Sequence, residues 1–323
     1  MNPVRSLLIK KILASDRGLP PTDEASNGAT PVRNLRFHYI AILFLANLIN
    51  IYLLDSLALS QPKSISDNIV RGNATIGEYF DGEEFTYTIG FWWFKKAAMG
   101  KIGIHKKDAN IYEITLTAEA MGFIGFITSY RKDIYRAYAE ETDDGKRFRT
   151  KRFEKVVVIG SGTRYGYTDV DYTKRTYHWK SWGGGKEEKE AEGTIPPDIY
   201  YDDALTGFYN FRFGVYGHIE AGKKFHVPTF PVKGVSTIPV KIAADKEKNS
   251  RINPNPDETA YLADIVIDKE LFGSQTGNVE VHFTKELIPV FAVAKDLILF
   301  GDVRGRLTEM TSKIGLRKTE SRD

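Results

Sequence analysis

Residues 82–91, Gly-Glu-Glu-Phe-Thr-Tyr-Thr-Ile-Gly-Phe, decide the fold class. Phe85, Tyr87, Ile89 and Phe91 alternate with Thr86, Thr88 and Gly90. A period of two turns one set toward a core and the other to the opposite face of a strand. The alternation returns at Tyr112, Ile114, Leu116 and Ala118, set against Glu113, Thr115, Thr117 and Glu119. Strand-like runs follow at 134–140, 147–159, 163–168, 171–181, 223–230, 235–243, 261–268, 278–284 and 289–300. Asp143-Asp144-Gly145, Gly183-Gly184-Gly185 and Gly277-Asn278 punctuate them as turns. Short strands at this spacing predict an all-β, mainly antiparallel protein. Its sheet curves into an open or closed barrel, or a sandwich, with one or two short helices.

The main helix is predicted over 202–212. Pro196-Pro197 precedes it, Asp202-Asp203 supplies an N-cap, and Leu205, Phe208, Tyr209 and Arg212 follow at helical spacing. Its apolar face is expected to plug one end of the sheet. A second helix over 121–130 is weakened by Gly122 and Gly125. No internal repeat or composition break divides 77–310, which reads as one β domain. A linker at 61–76 and a polar tail at 311–323 flank it.

The N-terminal part reads as a targeting segment. Residues 37–54, FHYIAILFLANLINIYLL, contain no Asp, Glu, Lys or Arg. Arg33 and Arg36 precede them, and Ala58-Leu59-Ser60 follows. Basic flank, apolar core and small-x-small exit describe a secretory signal cleaved after Ser60. The alternative is an uncleaved single-span anchor, since eighteen residues just suffice to cross a bilayer. Both readings of residues 1–60 place the β domain in the periplasm or cell envelope. Membrane contact is then expected only through this segment, if it stays uncleaved.

Composition mostly excludes. With 42% hydrophobic residues and a formal charge of +3 on 323 residues, the chain is neither globally disordered nor a polybasic nucleic-acid binder. Zero Cys removes disulfides, thiolate metal sites, Fe–S clusters, Cys nucleophiles and the lipidated Cys of a lipoprotein.

Several apparent motifs lead nowhere catalytic. Gly160-Ser161-Gly162-Thr163-Arg164-Tyr165-Gly166 imitates a dinucleotide fingerprint, but strand-like residues follow where a helix must begin. Asp169-Val170-Asp171-Tyr172-Thr173 imitates a phosphotransferase string, but a polar stretch precedes it, and it reads as a hairpin turn with exposed acids. His38, His105, His178, His218, His226 and His282 show no metal-ligand spacing, and no G-x-S-x-G elbow occurs. The expectation is a non-enzymatic protein without metal or cofactor. A deep polar pocket gathering Asp169, Asp171 and a His would reverse it. The Lys186-Glu187-Glu188-Lys189-Glu190 run reads as a mobile, solvated loop.

Aromatic residues carry the functional expectation. Phe91, Trp93, Phe123, Phe126, Phe208 and Phe211 are candidate lining for a lipid, acyl chain or other apolar ligand inside the curved sheet. The alternative is an interaction surface for envelope polysaccharide or a partner protein, built from Trp92, Trp179 and Trp182 with nearby lysines. The plain structural alternative has Phe91 and Trp93 filling the core while Trp92 rests on the surface.

Gly82-Glu83-Glu84-Phe85-Thr86-Tyr87-Thr88-Ile89 resembles the opening "G-E-x-[LF]-x-Y-x-[VI]" strand of the domain of unknown function 3108 family. The likeness continues in order. Ala97-x-x-Gly100 resembles the small residues before its second strand, Tyr112–Ala118 its third strand, and Met121-Gly122-Phe123 its "TG[LF]" segment. Asp203-Ala204-Leu205-Thr206-Gly207-Phe208-Tyr209 is similar to its "D-x-L-S-A-x-Y" helix. Leu287-Ile288-Pro289-Val290, followed by Gly301-Asp302-Val303, is similar to its "R-x-P-V" strand. Lys285-Glu286-Leu287 and the basic, Gly-rich material at 145–193 depart from the pattern. The resemblance covers roughly 77–310. It implies an exported bacterial β-rich envelope protein with no assigned catalytic residues. Its curved sheet with a helix looks like the open-barrel lipoprotein carriers of the periplasm, an analogy of fold only.

Overall fold

The computed structural model describes residues 74–230, 236–266, 275–297 and 301–313. The predicted leader, the 37–54 segment and the Ser60 cleavage point lie outside the described residues, as do most of the predicted linker and tail. Among the described residues no helix is long and apolar enough to cross a membrane.

Fourteen strands form one antiparallel sheet. They are β1 (Glu83–Phe91), β2 (Phe94–Lys106), β3 (Ile111–Ala120), β4 (Lys132–Glu141), β5 (Phe148–Ile159), β6 (Gly162–Asp171) and β7 (Thr176–Gly183). Then come β8 (Lys186–Thr194), β9 (Lys224–Thr229), β10 (Ser236–Ile242), β11 (Tyr261–Val266), β12 (Asn278–Phe283), β13 (Pro289–Leu297) and β14 (Gly301–Thr311). Their order is β8-β7-β6-β5-β4-β3-β2-β1-β14-β13-β12-β11-β10-β9. Consecutive strands thus lie side by side except β8 and β9, which are the two edges, and β1 meets β14, with Phe91 opposite Val303. The described helices number four rather than the expected one or two. They are α1 (Ile76–Phe80), α2 (Gly122–Ile127), α3 (Ala204–Phe213) and α4 (Asp245–Ser250).

Three further expectations are corrected. The 186–190 run is not a loop: it opens β8, an edge strand paired to β7 from Lys186↔Gly183 to Thr194↔Thr176. Its outward Lys and Glu side chains keep other strands from adding to that edge. The 171–181 run is broken by a turn at 172–175, where Asp171 accepts from the backbone N–H groups of Thr173 and Lys174. The fold also begins before 77. Thr75 caps α1 in a reciprocal box with Glu78, and the Ile76 N–H donates to the Gly145 carbonyl at 2.7 Å.

The sheet curls on itself. β3 and β9 are eight strand steps apart in sheet order, roughly 38 Å if flat. Yet Leu116 of β3 and Val227 of β9 line the same cavity. The edges β8 and β9 do not pair with each other among the described residues. Side chains bridge the gap: Phe230, just past β9, packs on Tyr177 of β7 and on Tyr201, with ring centroids 5.9 and 5.5 Å apart.

Helix α3 closes one edge of the curl, as its apolar spacing predicted. Leu205 and Tyr209 join Phe80, Phe85, Ile104, Tyr112, Tyr135 and Phe148 in one hydrophobic core cluster. Asp203 is the N-cap, accepting from the Leu205 and Thr206 N–H groups. Gly214 ends the helix with φ +83°, a left-handed cap that glycine adopts without Cβ strain. In the last turn Arg212, fully buried, binds both carboxylate oxygens of Glu83 at 2.5 and 2.9 Å and the Leu287 carbonyl at 2.8 Å. The helix is thereby tied to the start of β1 and to the β12–β13 turn.

Candidate functional site

The curl leaves an apolar cavity beneath α3. Its volume open to the centres of water-sized spheres is about 110 Å³. One water needs roughly 10–15 Å³ on that measure, so the space exceeds a packing defect by far. Tyr87 and Ile89 of β1, Ile102 of β2 and Leu116 of β3 form one wall. Val227, Ile238, Val240, Val281, Phe283 and Phe291 form the facing wall, and Phe208 and Phe211 of α3 close it over.

The void exists because small residues stand at inward positions. Gly100 of β2, Ala118 of β3, Ala204 and Gly207 of α3 and Ala292 of β13 all line it. At Gly100 even a Cβ would come within 3.2 Å of the Ile89 side chain. Larger side chains at Ala118 or Ala292 would occupy the space that is now empty.

Two of the polar side chains that touch the cavity, Tyr87 and Asp203, are already engaged. The Tyr87 hydroxyl donates to the Pro289 carbonyl at 2.9 Å, and burial pushes its acidity far down. Asp203 accepts from two backbone N–H groups and from the Thr150 and Thr206 hydroxyls at 2.7 and 2.5 Å. Burial raises its pKa, against these bonds, which favour the charged form. Neighbouring Asp202, outside the lining, accepts from Arg147, Asn210 and Tyr216 through Oδ2, while its buried Oδ1 has no hydrogen-bond partner. Apart from Tyr87, Asp203 and Thr117 the lining is aliphatic and aromatic, so it suits hydrocarbon.

Only two of the six expected lining residues, Phe208 and Phe211, reach this cavity. Phe91 is buried, but it packs against Trp92 and Phe94. Trp93 is 76% exposed, Phe123 60% and Phe126 41%. All four are corrections, and each has a cause. Phe91 pairs with Phe94, so Trp92 and Trp93 are the two turn residues of the β1–β2 hairpin. The alternation that buries Phe91 stops there, and Trp93 does not fill the core. Phe123 and Phe126 lie on the outer side of α2, whose buried residues are Ile124 and Gly125.

The alternative aromatic surface is not assembled either. Trp92 is 56% exposed at the β1–β2 tip. Trp179 and Trp182 are half-buried on β7, five strand steps from β2, and Trp182 stacks on Tyr165.

The cavity contains neither Asp169, Asp171 nor a histidine. Asp169 binds the Arg152 guanidinium at 2.8 and 2.9 Å, and His178 meets Glu190 at 2.5 Å. Among the described residues no cluster of three or more His, Asp or Glu could hold a metal ion. The sequence reading missed Lys155, which sits beside Tyr135 and is pushed down to about 8 by burial. It also missed the small residues that make the void. A missing side chain leaves no periodic signal.

No family model matches the chain, so the likeness to the domain of unknown function 3108 family rests on the motifs alone. No curated protein matches it. Two solved structures are similar. One is a β-barrel-like protein of domain of unknown function DUF1849 from Brucella abortus. It is 11% identical with a TM-score of 0.42, over 71% of this chain and 97% of that one. The other is a hypothetical protein from Chlamydia trachomatis. It is 9% identical with a TM-score of 0.28, over 74% of this chain and 93% of that one.

Proposed function

We propose that this protein is a non-catalytic binder of an apolar ligand, such as a lipid or acyl chain, held inside the curled sheet. The observation that carries the reading is the cavity under α3, walled by aliphatic and aromatic side chains with the small residues Gly100, Ala118, Gly207 and Ala292 among its lining. An apolar void of this size excludes water and gains free energy when hydrocarbon enters. The reading includes no cofactor and no covalent step. The 37–60 segment, with its basic flank and small-x-small exit, supports action in the cell envelope. There the guest would be a membrane lipid or a molecule derived from one.

Substitution of the void tests it. Ala118→Phe and Ala292→Phe add bulk where space exists, so both variants are expected to fold with unchanged denaturant midpoints. Lipid extracted from each purified protein is then identified by mass spectrometry. The account predicts an apolar guest with the wild type and at least a tenfold smaller amount with either variant. Equal guest content in all three proteins would place the lipid elsewhere and overturn the reading.

A further inference from the structure

The edge of the sheet opposite α3 carries a different chemistry. Successive hairpins put the β1–β2 tip, the β3–β4 connection with α2, and the β5–β6 and β7–β8 turns on one edge. The start of β14 joins them, because a Cβ on Gly301 would lie 3.2 Å from Trp92 Nε1. On this edge Trp92, Trp93, Phe123, Ile127 and Tyr130 are between 37% and 76% exposed. Four rings here form one patch: Trp92 lies on Trp93 at 5.5 Å, Trp93 on Phe94 at 5.7 Å, and Phe94 stacks on Phe123 at 6.3 Å. So many large apolar side chains in water, on a chain with an ample core, mark a surface made for another phase.

The charges say which phase. Lys95 and Lys96 follow the tip directly, both exposed and neither ion-paired among the described residues. Arg164 and Lys186, just after the next two turns, are likewise without an ion-pair partner there. Two acids at the same strand ends are neutralised, Glu119 by Lys132 at 3.3 Å and Asp133 by Arg131 at 2.8 Å, whereas Glu187 and Asp296 have no ion-pair partner among the described residues, so basic side chains outnumber free acids around the aromatic tip. Sugar-binding platforms add carboxylates or amides to their aromatics to grip hydroxyls, yet residues 91–100 and 121–130 contain no Asp, Glu, Asn or Gln. Tryptophan with phenylalanine, isoleucine and unpaired lysine is the composition of a side that settles at an anionic lipid headgroup layer.

We propose that this edge docks on the surface of an anionic lipid bilayer, with Trp92, Trp93 and Phe123 inserted and Lys95 and Lys96 against headgroup phosphates. The contact is separate from any made by the 37–54 segment. It also faces the cavity. Ile89 and Ala118 lie two residues from the last residues of β1 and β3. Ile265 and Val279 lie one residue from the ends of β11 and β12 that meet the same edge.

Tryptophan emission tests this on the full chain, even if the N-terminal segment also binds membrane. The chain has four tryptophans, so Trp179→Phe/Trp182→Phe leaves Trp92 and Trp93 as the reporters. The protein is mixed with vesicles of phosphatidylcholine containing about 30% phosphatidylglycerol, with bromine on the acyl chains. The expected result is a blue shift with bromolipid quenching, weakened about tenfold in apparent affinity by Lys95→Glu/Lys96→Glu or by pure phosphatidylcholine. A second variant, Trp92→Asn/Trp93→Gly in the unaltered chain, suits the positive φ of +47° at residue 92 and is expected to fold. It should lose vesicle binding at this edge, read as the loss of vesicle-induced hydrogen-exchange protection in α2, while keeping guest content in the cavity. Unshifted, unquenched emission from Trp92 and Trp93 with vesicles present overturns the proposal, whether or not the chain co-sediments. So does an emission shift produced by soluble polysaccharide or protein but not by vesicles. Either result leaves the cavity reading to its own test.

Discussion

Two buried titratable groups carry large local consequences. Arg212 and Glu83 are both almost fully excluded from water, and each is the other's counter-charge. The guanidinium also lies over the rings of Phe80, Phe85, Phe208 and Tyr209, all within 5.4 Å. Removing one partner leaves the other charged and unpaired in the core. Arg212→Met or Glu83→Gln is therefore expected to cost roughly 3–5 kcal/mol, and the double variant less than the sum. Urea unfolding of the four proteins measures it; additive losses would contradict the pairing. His282 is the second group. It is fully buried, neither ring nitrogen has a hydrogen-bond partner, and burial lowers its pKa from 6.5. Glu280 pulls the other way, while Arg251 and Lys295 add to the lowering. Below 6.5 the unfolded chain takes up the proton that the folded chain refuses, so stability falls as pH drops from 6.5 toward the folded pKa. His282→Phe removes this term. Its stability relative to wild type should be constant above about pH 7.5 and rise as the pH falls to about 5. A difference that does not change with pH would refute the assignment.

Helix α3 is the element on which the site depends. It ties into the sheet through Arg212, through Asn210, whose amide donates to the Phe148 carbonyl at 2.9 Å, and through Asp203 on Thr150. Asp203→Ala removes the cap and strands the Thr150 hydroxyl, a loss of about 2 kcal/mol. Gly214→Ala imposes a left-handed conformation on a residue with a Cβ, about 1 kcal/mol. Since Phe208 and Phe211 form the cavity roof, both changes should also weaken ligand retention, Asp203→Ala more strongly. A thermal melt with and without a fatty acid reads both effects. Loss of stability with unchanged ligand-induced stabilisation would separate the helix from the site. This element was legible in the sequence because three independent signals agreed: proline entry, an Asx cap and helical spacing. Strand β2 was not, because Lys95, Lys96, Ala97, Ala98, Gly100 and Gly103 break any alternation. Strand β8 hid behind its charges, which an edge strand needs and a loop also tolerates. At the β1–β2 tip, a two-residue turn took Trp93 out of the register that buries Phe91.

At the scale of the whole molecule, a fourteen-stranded meander places two unlike edges at opposite ends of its strands. One is sealed by α3 and its buried ion pair; the other presents aromatic and basic side chains. The cavity runs between them. Its walls come from strands far apart in sequence, so strand periodicity could announce a curved sheet but not its internal void. The void depends on which inward positions are small once β3 and β9 face each other across the curl. The central claim is that this void takes up hydrocarbon. Titration of the delipidated full chain with a fluorescent polyene fatty acid tests it most directly, with Ala118→Phe and Ala292→Phe alongside. The account predicts saturable uptake of about one equivalent by the wild type, with emission typical of a water-free site, and uptake at least tenfold weaker in both variants. Absence of uptake by the wild type, or equal uptake by all three proteins, would contradict it.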